Sequence, residues 1–122
     1  MINYINDQLN ESISVQKEIL QNKSLLDVIE RASVTCIESL KKGNKILLAG
    51  NGGSAADSQH IAGELVSRFA FDRPGLSAIA LTTDTSIMTA IGNDYGYESL
   101  FSRQIQAVGN EGDIFIAYST SG

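Results

Sequence analysis

The sequence predicts an α/β fold in which a doubly wound parallel sheet is sandwiched by helices and preceded by two helices of its own. Three observations carry this. Short, nearly continuous apolar runs at residues 45–49, 76–81 and 113–118 have the pattern of strands covered on both faces. Helix-period segments lie between them, so each strand leads into a crossover rather than a hairpin. Clusters of turn residues, Gly50-Asn51-Gly52-Gly53 and Gly92-Asn93-Asp94 among them, punctuate the alternation.

The elements follow in order. Residues 4–21 place Ile5, Leu9, Ile13 and the pair Ile19-Leu20 near the helical period, which predicts an amphipathic helix. Ser24 followed by Asp27 reads as a capping box with Asp in place of Glu, opening a second helix that runs to about Lys42 and stops at Gly43-Asn44. Residues 45–49 form the first strand. Ser54 is placed to cap a helix through Phe69, in which Ile61, Leu65 and Phe69 recur every fourth position. Arg73-Pro74-Gly75 then breaks the chain. Residues 76–81 read as a strand, 85–91 as a short helix, 92–94 as a turn, 97–108 as a helix and 113–118 as the third strand. One domain is expected, with helices over 1–43 and the α/β core from 45. Three strands make a small sheet, and the last residues follow a strand where such a sheet ordinarily continues into a capped helix. The expectation is a domain whose C-terminal part is missing.

Composition narrows the function classes. At 122 residues and 43% hydrophobic content, the chain is long enough for a packed core. Nine basic against fourteen acidic residues, scattered in sequence, leave no basic face for nucleic acid. The single cysteine, Cys36, forms no intramolecular disulfide and reads as the buried side of a helix. The N-terminus has neither a basic nor an apolar targeting region, and no segment approaches ~18 apolar residues, so a soluble cytoplasmic protein is expected.

Gly50-Asn51-Gly52-Gly53-Ser54-Ala55 sits between strand and helix and presents backbone N–H groups, the chemistry of an anion site. It matches the dinucleotide pattern G-x-G-x-x-A, although Asp84, the acid at the end of the next strand, lies roughly 30 residues on rather than ~20. A tight turn with no ligand also fits. His60 is the only histidine, and Glu64 lies one helical turn later on the same face. Such a pair can hold a divalent metal, can divide acid and base duties, or can be an ordinary surface pair. Ser119-Thr120-Ser121-Gly122 follows the third strand, so its hydroxyls point into the same crevice as the glycine turn and suit a phosphate monoester; a plain N-cap segment is the alternative. Asn93-Asp94 fits either a site or simple turn chemistry.

Taken together, the segment from Gly50 to His60, then Glu64, Arg73-Pro74, Thr82-Thr83-Asp84, Gly92-Asn93-Asp94-Tyr95 and Ser119-Thr120-Ser121-Gly122 resemble the bacterial phosphoheptose isomerases over essentially the whole chain. The resemblance implies the SIS (sugar isomerase) fold, a flavodoxin-like domain assembled as a homotetramer with active sites between subunits. It implies conversion of sedoheptulose 7-phosphate to D-glycero-D-manno-heptose 7-phosphate, for lipopolysaccharide or capsule precursors. By that likeness His60 and Glu64 match zinc ligands, and Glu64 matches the base that moves a proton between C1 and C2. Asn51, Gly52, Gly53, Ser54, Asn93, Asp94, Ser119, Thr120 and Ser121 match substrate-binding segments, with Arg68 reaching substrate at a subunit boundary. Further metal ligands, a glutamine and a second histidine, fall beyond Gly122 in that family. The 122 residues alone are therefore expected to be inactive and poor at binding zinc. A second class resembles the same segments: non-catalytic SIS proteins that bind phosphosugars or a replication initiator. Glu64 favours the enzyme.

Overall fold

The computed structural model describes residues 1–122. Helices α1 (Ile2–Gln21) and α2 (Lys23–Lys41) are separated by Asn22 alone. Asn22 starts the second helix: its side-chain oxygen accepts the Leu25 N–H at 3.0 Å, the bond an N-cap supplies. The expected capping box is overturned, since Ser24 and Asp27 both lie inside α2, and α1 begins two residues before the expected Tyr4. Met1–Thr35 form one compact unit and Cys36–Gly122 another, the division falling within α2. In the first unit no residue of α1 is buried, and its apolar stripe of Ile5, Leu9 and Ile13 is exposed.

In the second unit, β1 (Ile46–Ala49) is the central strand of a parallel sheet ordered β2-β1-β3, with β2 at Ala78–Ala80 and β3 at Ile114–Ala117. All four β1 residues are buried, as an apolar run without alternation requires. Ile46 stands opposite both Ala78 and Ile114. A polar clamp fixes that register at the start of β1 and β3: the Lys45 N–H and ammonium both donate to Asp113, at 2.9 and 2.5 Å, and the Asn110 N–H donates to it at 2.7 Å. The Lys45 side chain first, then its N–H, hold the Asp113 carboxyl down to about 2 against the opposing effect of burial. Ile46, Leu48, Ala62 and Ala80 form the core, with Leu40, Leu65, Ile116 and the half-buried free thiol of Cys36 packed on it.

The sheet is flanked by α3 (Gly53–Val66), α4 (Thr85–Asp94) and α5 (Leu100–Val108). Because β1 to β2 and β2 to β3 run in opposite directions along the sheet, right-handed crossovers put α3 on one face and α4 and α5 on the other. Four expectations are corrected. Ser54 does not cap α3: the N-cap is Gly52, and Ser54 lies within the first turn. The helix ends at Val66, short of Phe69, because the returning chain satisfies its last carbonyls. Arg73 donates to the Glu64 and Leu65 oxygens, each at 2.8 Å, and the Leu76 N–H joins it on Leu65 at 3.0 Å. Gly92, Asn93 and Asp94 are the last turn of α4, which Asp84 caps by accepting the Ile87 N–H at 2.9 Å. The reversal comes later, at Gly96 with φ 88°, and the segment expected to be one helix from Tyr97 starts as a 3-10 turn, Tyr97–Ser99. The buried Gln104 amide ties α5 to the end of β2 by donating to the Leu81 oxygen at 3.0 Å.

Candidate functional site

Adjacent parallel strands β1 and β3 send their following segments out of the same edge of the sheet, at the point where the strand order reverses. After β1 the backbone folds tightly onto α3. Gly50 is buried, and a Cβ there would stand 2.6 Å from the Ser54 oxygen. Gly52 has φ 57° and ψ −122°, a conformation only glycine adopts without strain. After β3 the Tyr118 N–H donates to the Ala49 oxygen at 2.8 Å, extending the ladder one residue, and the hydroxyl segment begins. Its Ser119 hydroxyl accepts the Gly122 N–H at 2.9 Å.

Asn51, Ser54, Tyr118, Ser119, Thr120 and Ser121 together line an open cavity of about 320 Å³. The structure thus brings the two separately read segments, 67 residues apart from Ser54 to Ser121, around one space. Its groups are neutral hydroxyls and an amide beside the N-terminus of α3, whose dipole favours an anion. Burial, with Asp57 and Cys36 adding to it, pushes the Tyr118 phenol above its ordinary value, and its side chain packs on the core cluster. Tyr97, which sequence reasoning missed, donates its hydroxyl to Asn51 Oδ1 at 2.7 Å from 46 residues away.

His60 and Glu64 lie further along α3, six residues or about 9 Å of helix axis from Ser54 to His60. His60 Nε2 is 3.7 Å from Glu64 Oε1, with side-chain exposures of 74% and 35%. Two donors on one tetrahedral metal stand about 3.4 Å apart, so the pair fits as two ligands after a small adjustment. No third His, Cys, Asp or Glu joins them in a group of three. They line a second cavity of about 410 Å³ whose other walls are Ile61, Leu65, Phe69, Phe71 and Arg73. Arg73, read as part of a chain break and of the family motifs, holds the carbonyl of Glu64 and so fixes the backbone from which that carboxylate projects.

The remaining sequence candidates lie apart. Arg68 is exposed just past the α3 C-cap, Ser67, and lines neither cavity. Asn93 and Asp94 are exposed at the end of α4, where the Asn93 amide donates to Asp94 at 2.7 Å; they too line neither. No helix is long and apolar enough to cross a membrane.

A parallel sheet of this order, with hydroxyl and glycine segments meeting at its switch point, is the architecture of a sugar isomerase domain, and a family profile for the SIS domain matches residues 9–122. The chain belongs to the SIS domain family. It is 64% identical over 121 residues to the phosphoheptose isomerase of Burkholderia pseudomallei (strain K96243), which covers 99% of this chain and 61% of that protein. It is 66% identical over 122 residues to the phosphoheptose isomerase of Aneurinibacillus thermoaerophilus, covering all of this chain and 62% of that one. Among solved structures, a phosphoheptose isomerase from Francisella tularensis superposes with a TM-score of 0.89 at 37% identity, over 98% of this chain and 61% of that chain. The chain thus spans about three-fifths of the length of the relatives it matches.

Proposed function

We propose that these residues carry the phosphate-binding and proton-transfer parts of an aldose-ketose isomerase that converts sedoheptulose 7-phosphate to D-glycero-D-manno-heptose 7-phosphate, a precursor for lipopolysaccharide or capsule. The observation that carries this reading is the cavity at the β1/β3 switch point, lined by Asn51, Ser54, Ser119, Thr120 and Ser121. The names of the relatives add to it.

In this reading the phosphate sits between Ser119, Thr120 and Ser121 and the N-terminus of α3, where Gly52 and Gly53 let the backbone come close. The sugar extends along α3 toward Glu64. The Glu64 carboxylate takes a proton from C1 of the ketose, giving an enediol, and returns it to C2, while the hydroxyl proton passes from O1 to O2; no electrons leave the substrate. His60 and Glu64 are the residues that would hold zinc, which when bound would supply a positive charge favouring negative charge on the substrate oxygen. Catalytic zinc takes at least three protein ligands, so the pair is only part of a site, and in this reading the 122 residues alone bind sugar phosphate without turning it over. The exposed apolar stripe of α1 is a face that another copy of the chain can cover, which supports a homo-oligomer, in this reading a tetramer, with Arg68 reaching sugar at a subunit boundary and Asn93-Asp94 a substrate-binding segment.

The test is a chimera joining residues 1–122 to the C-terminal segment of the Burkholderia pseudomallei relative. It isomerises sedoheptulose 7-phosphate, and Glu64→Gln lowers kcat by about 10²- to 10⁴-fold with little change in KM. Full activity in the Glu64→Gln chimera overturns the mechanism; an inactive, folded parent chimera overturns the function.

A further inference from the structure

We infer that Tyr97 is a positioning residue for the phosphosugar cavity, acting through Asn51. The inference rests on the proposed function and names a component of the same site. Asn51 lines the cavity beside Ser119, Thr120 and Ser121, yet as an exposed amide on a glycine turn it has no packing to fix its orientation. Its amide has two faces of opposite character: a carbonyl oxygen that repels a phosphate or sugar oxygen lone pair, and an NH₂ that donates to one. Which face meets the ligand decides whether Asn51 helps or hinders binding.

Tyr97 makes that choice. Its hydroxyl donates to Asn51 Oδ1 at 2.7 Å, within the range of an O–H···O bond. With Oδ1 engaged, Nδ2 makes no hydrogen bond within the chain and is left to donate to a ligand oxygen. The placement of Tyr97 is built into the fold. Gly96, at φ 88°, reverses the chain after α4, and the 3-10 turn Tyr97–Ser99 lifts the tyrosine ring toward the turn after β1. The Ser99 N–H closes that turn on the Gly96 oxygen at 3.1 Å, and the Ser99 hydroxyl donates to the Tyr95 oxygen at 3.2 Å. The Tyr95 ring in turn stacks under the Arg103 guanidinium, 3.6 Å from its centroid. The segment between α4 and α5 thus serves as a strut that holds a third segment of the chain against the cavity formed by the other two.

The test uses Tyr97→Phe, which keeps the ring and removes only the donor, with Asn51→Ala and the double variant. Each is titrated with inorganic phosphate and with sedoheptulose 7-phosphate, and the Asn51 side-chain NH₂ signals are followed by ¹⁵N NMR. Tyr97→Phe weakens sugar-phosphate binding about 3- to 10-fold, the worth of one neutral hydrogen bond, and shifts the Asn51 NH₂ pair before any ligand is added. In the Asn51→Ala background the same change has no further effect, whereas a merely structural role lowers affinity or melting temperature in both backgrounds. Unchanged affinity in Tyr97→Phe, or equal losses in both backgrounds, overturns the inference alone. A parent chain that binds no phosphate ester overturns the functional reading and this inference with it.

Discussion

Replacing Gly50, Gly52 and Gly53 by alanine, one at a time, separates three effects in one turn. At Gly50 the new Cβ meets the Ser54 oxygen at 2.6 Å and its carbonyl carbon at 2.7 Å, about 0.8 Å inside the 3.4 Å at which contact becomes ordinary. The obstacle is backbone in the first turn of α3, so the helix start itself must move. Overpacking of this kind costs about 1–3 kcal/mol. The movement also displaces Ser54, a wall of the cavity. At Gly52 nothing lies within 4 Å, but φ 57° with ψ −122° strains any side-chain-bearing residue by about 1–3 kcal/mol, partly offset by the ~0.4–1 kcal/mol that alanine removes from unfolded-state entropy. At Gly53 there is neither obstacle nor positive φ, and the residue opens a helix, so alanine stabilises by about 0.4–1 kcal/mol. Urea unfolding of the three variants reads these values directly. A neutral Gly50→Ala, or a Gly53→Ala as damaging as it, refutes the close approach of turn and helix.

Three further outcomes follow from the packing and electrostatics. Leu48→Ala, at a side chain with no exposed surface in the central strand, costs about 2–5 kcal/mol in the same assay; a loss under about 1 kcal/mol contradicts the placement of the core. The native Asp113 carboxyl, held to about 2, gives up its proton more readily than the unfolded one at its ordinary 3.8, so the unfolded chain binds more protons between those values. That contribution to stability is present above about pH 4 and lost as the pH falls through about 2, and acid titration of Asp113→Asn shows a shallower decline over that window. Asp84→Ala removes the α4 cap and costs about 0.5–2 kcal/mol by thermal melting, with no loss expected at Thr85→Ala, whose side chain caps nothing.

The strands were legible because burial on both faces leaves an unbroken apolar run, and Ile46-Leu47-Leu48-Ala49 has one. Once three such runs alternate with helices, the handedness of crossovers leaves few arrangements, of which the order β2-β1-β3 is one. Helix starts were less legible where neighbours offer the same chemistry: Asn22 and Ser24 are both good caps, and their competition is settled by where α1 stops. Gly92-Asn93-Asp94 has turn composition but continues α4, because buried Ile91 anchors the preceding turn and the reversal is carried by Gly96. In the site, the glycine turn, the hydroxyl segment and the His60-Glu64 pair were visible as local patterns. Arg73 and Tyr97 were not, since their partners lie nine and 46 residues away and no local pattern encodes such a contact.

Calorimetric titration of the 122-residue chain with sedoheptulose 7-phosphate, set against unphosphorylated sedoheptulose, tests the central claim most directly, because Asn51, Ser54, Ser119, Thr120 and Ser121 all line the switch-point cavity. The account predicts binding of the phosphate ester only, weakened by about 3- to 10-fold in Ser119→Ala and again in Ser121→Ala, one hydrogen bond at a time. Equal binding of the two sugars, or affinity untouched by both substitutions, contradicts it.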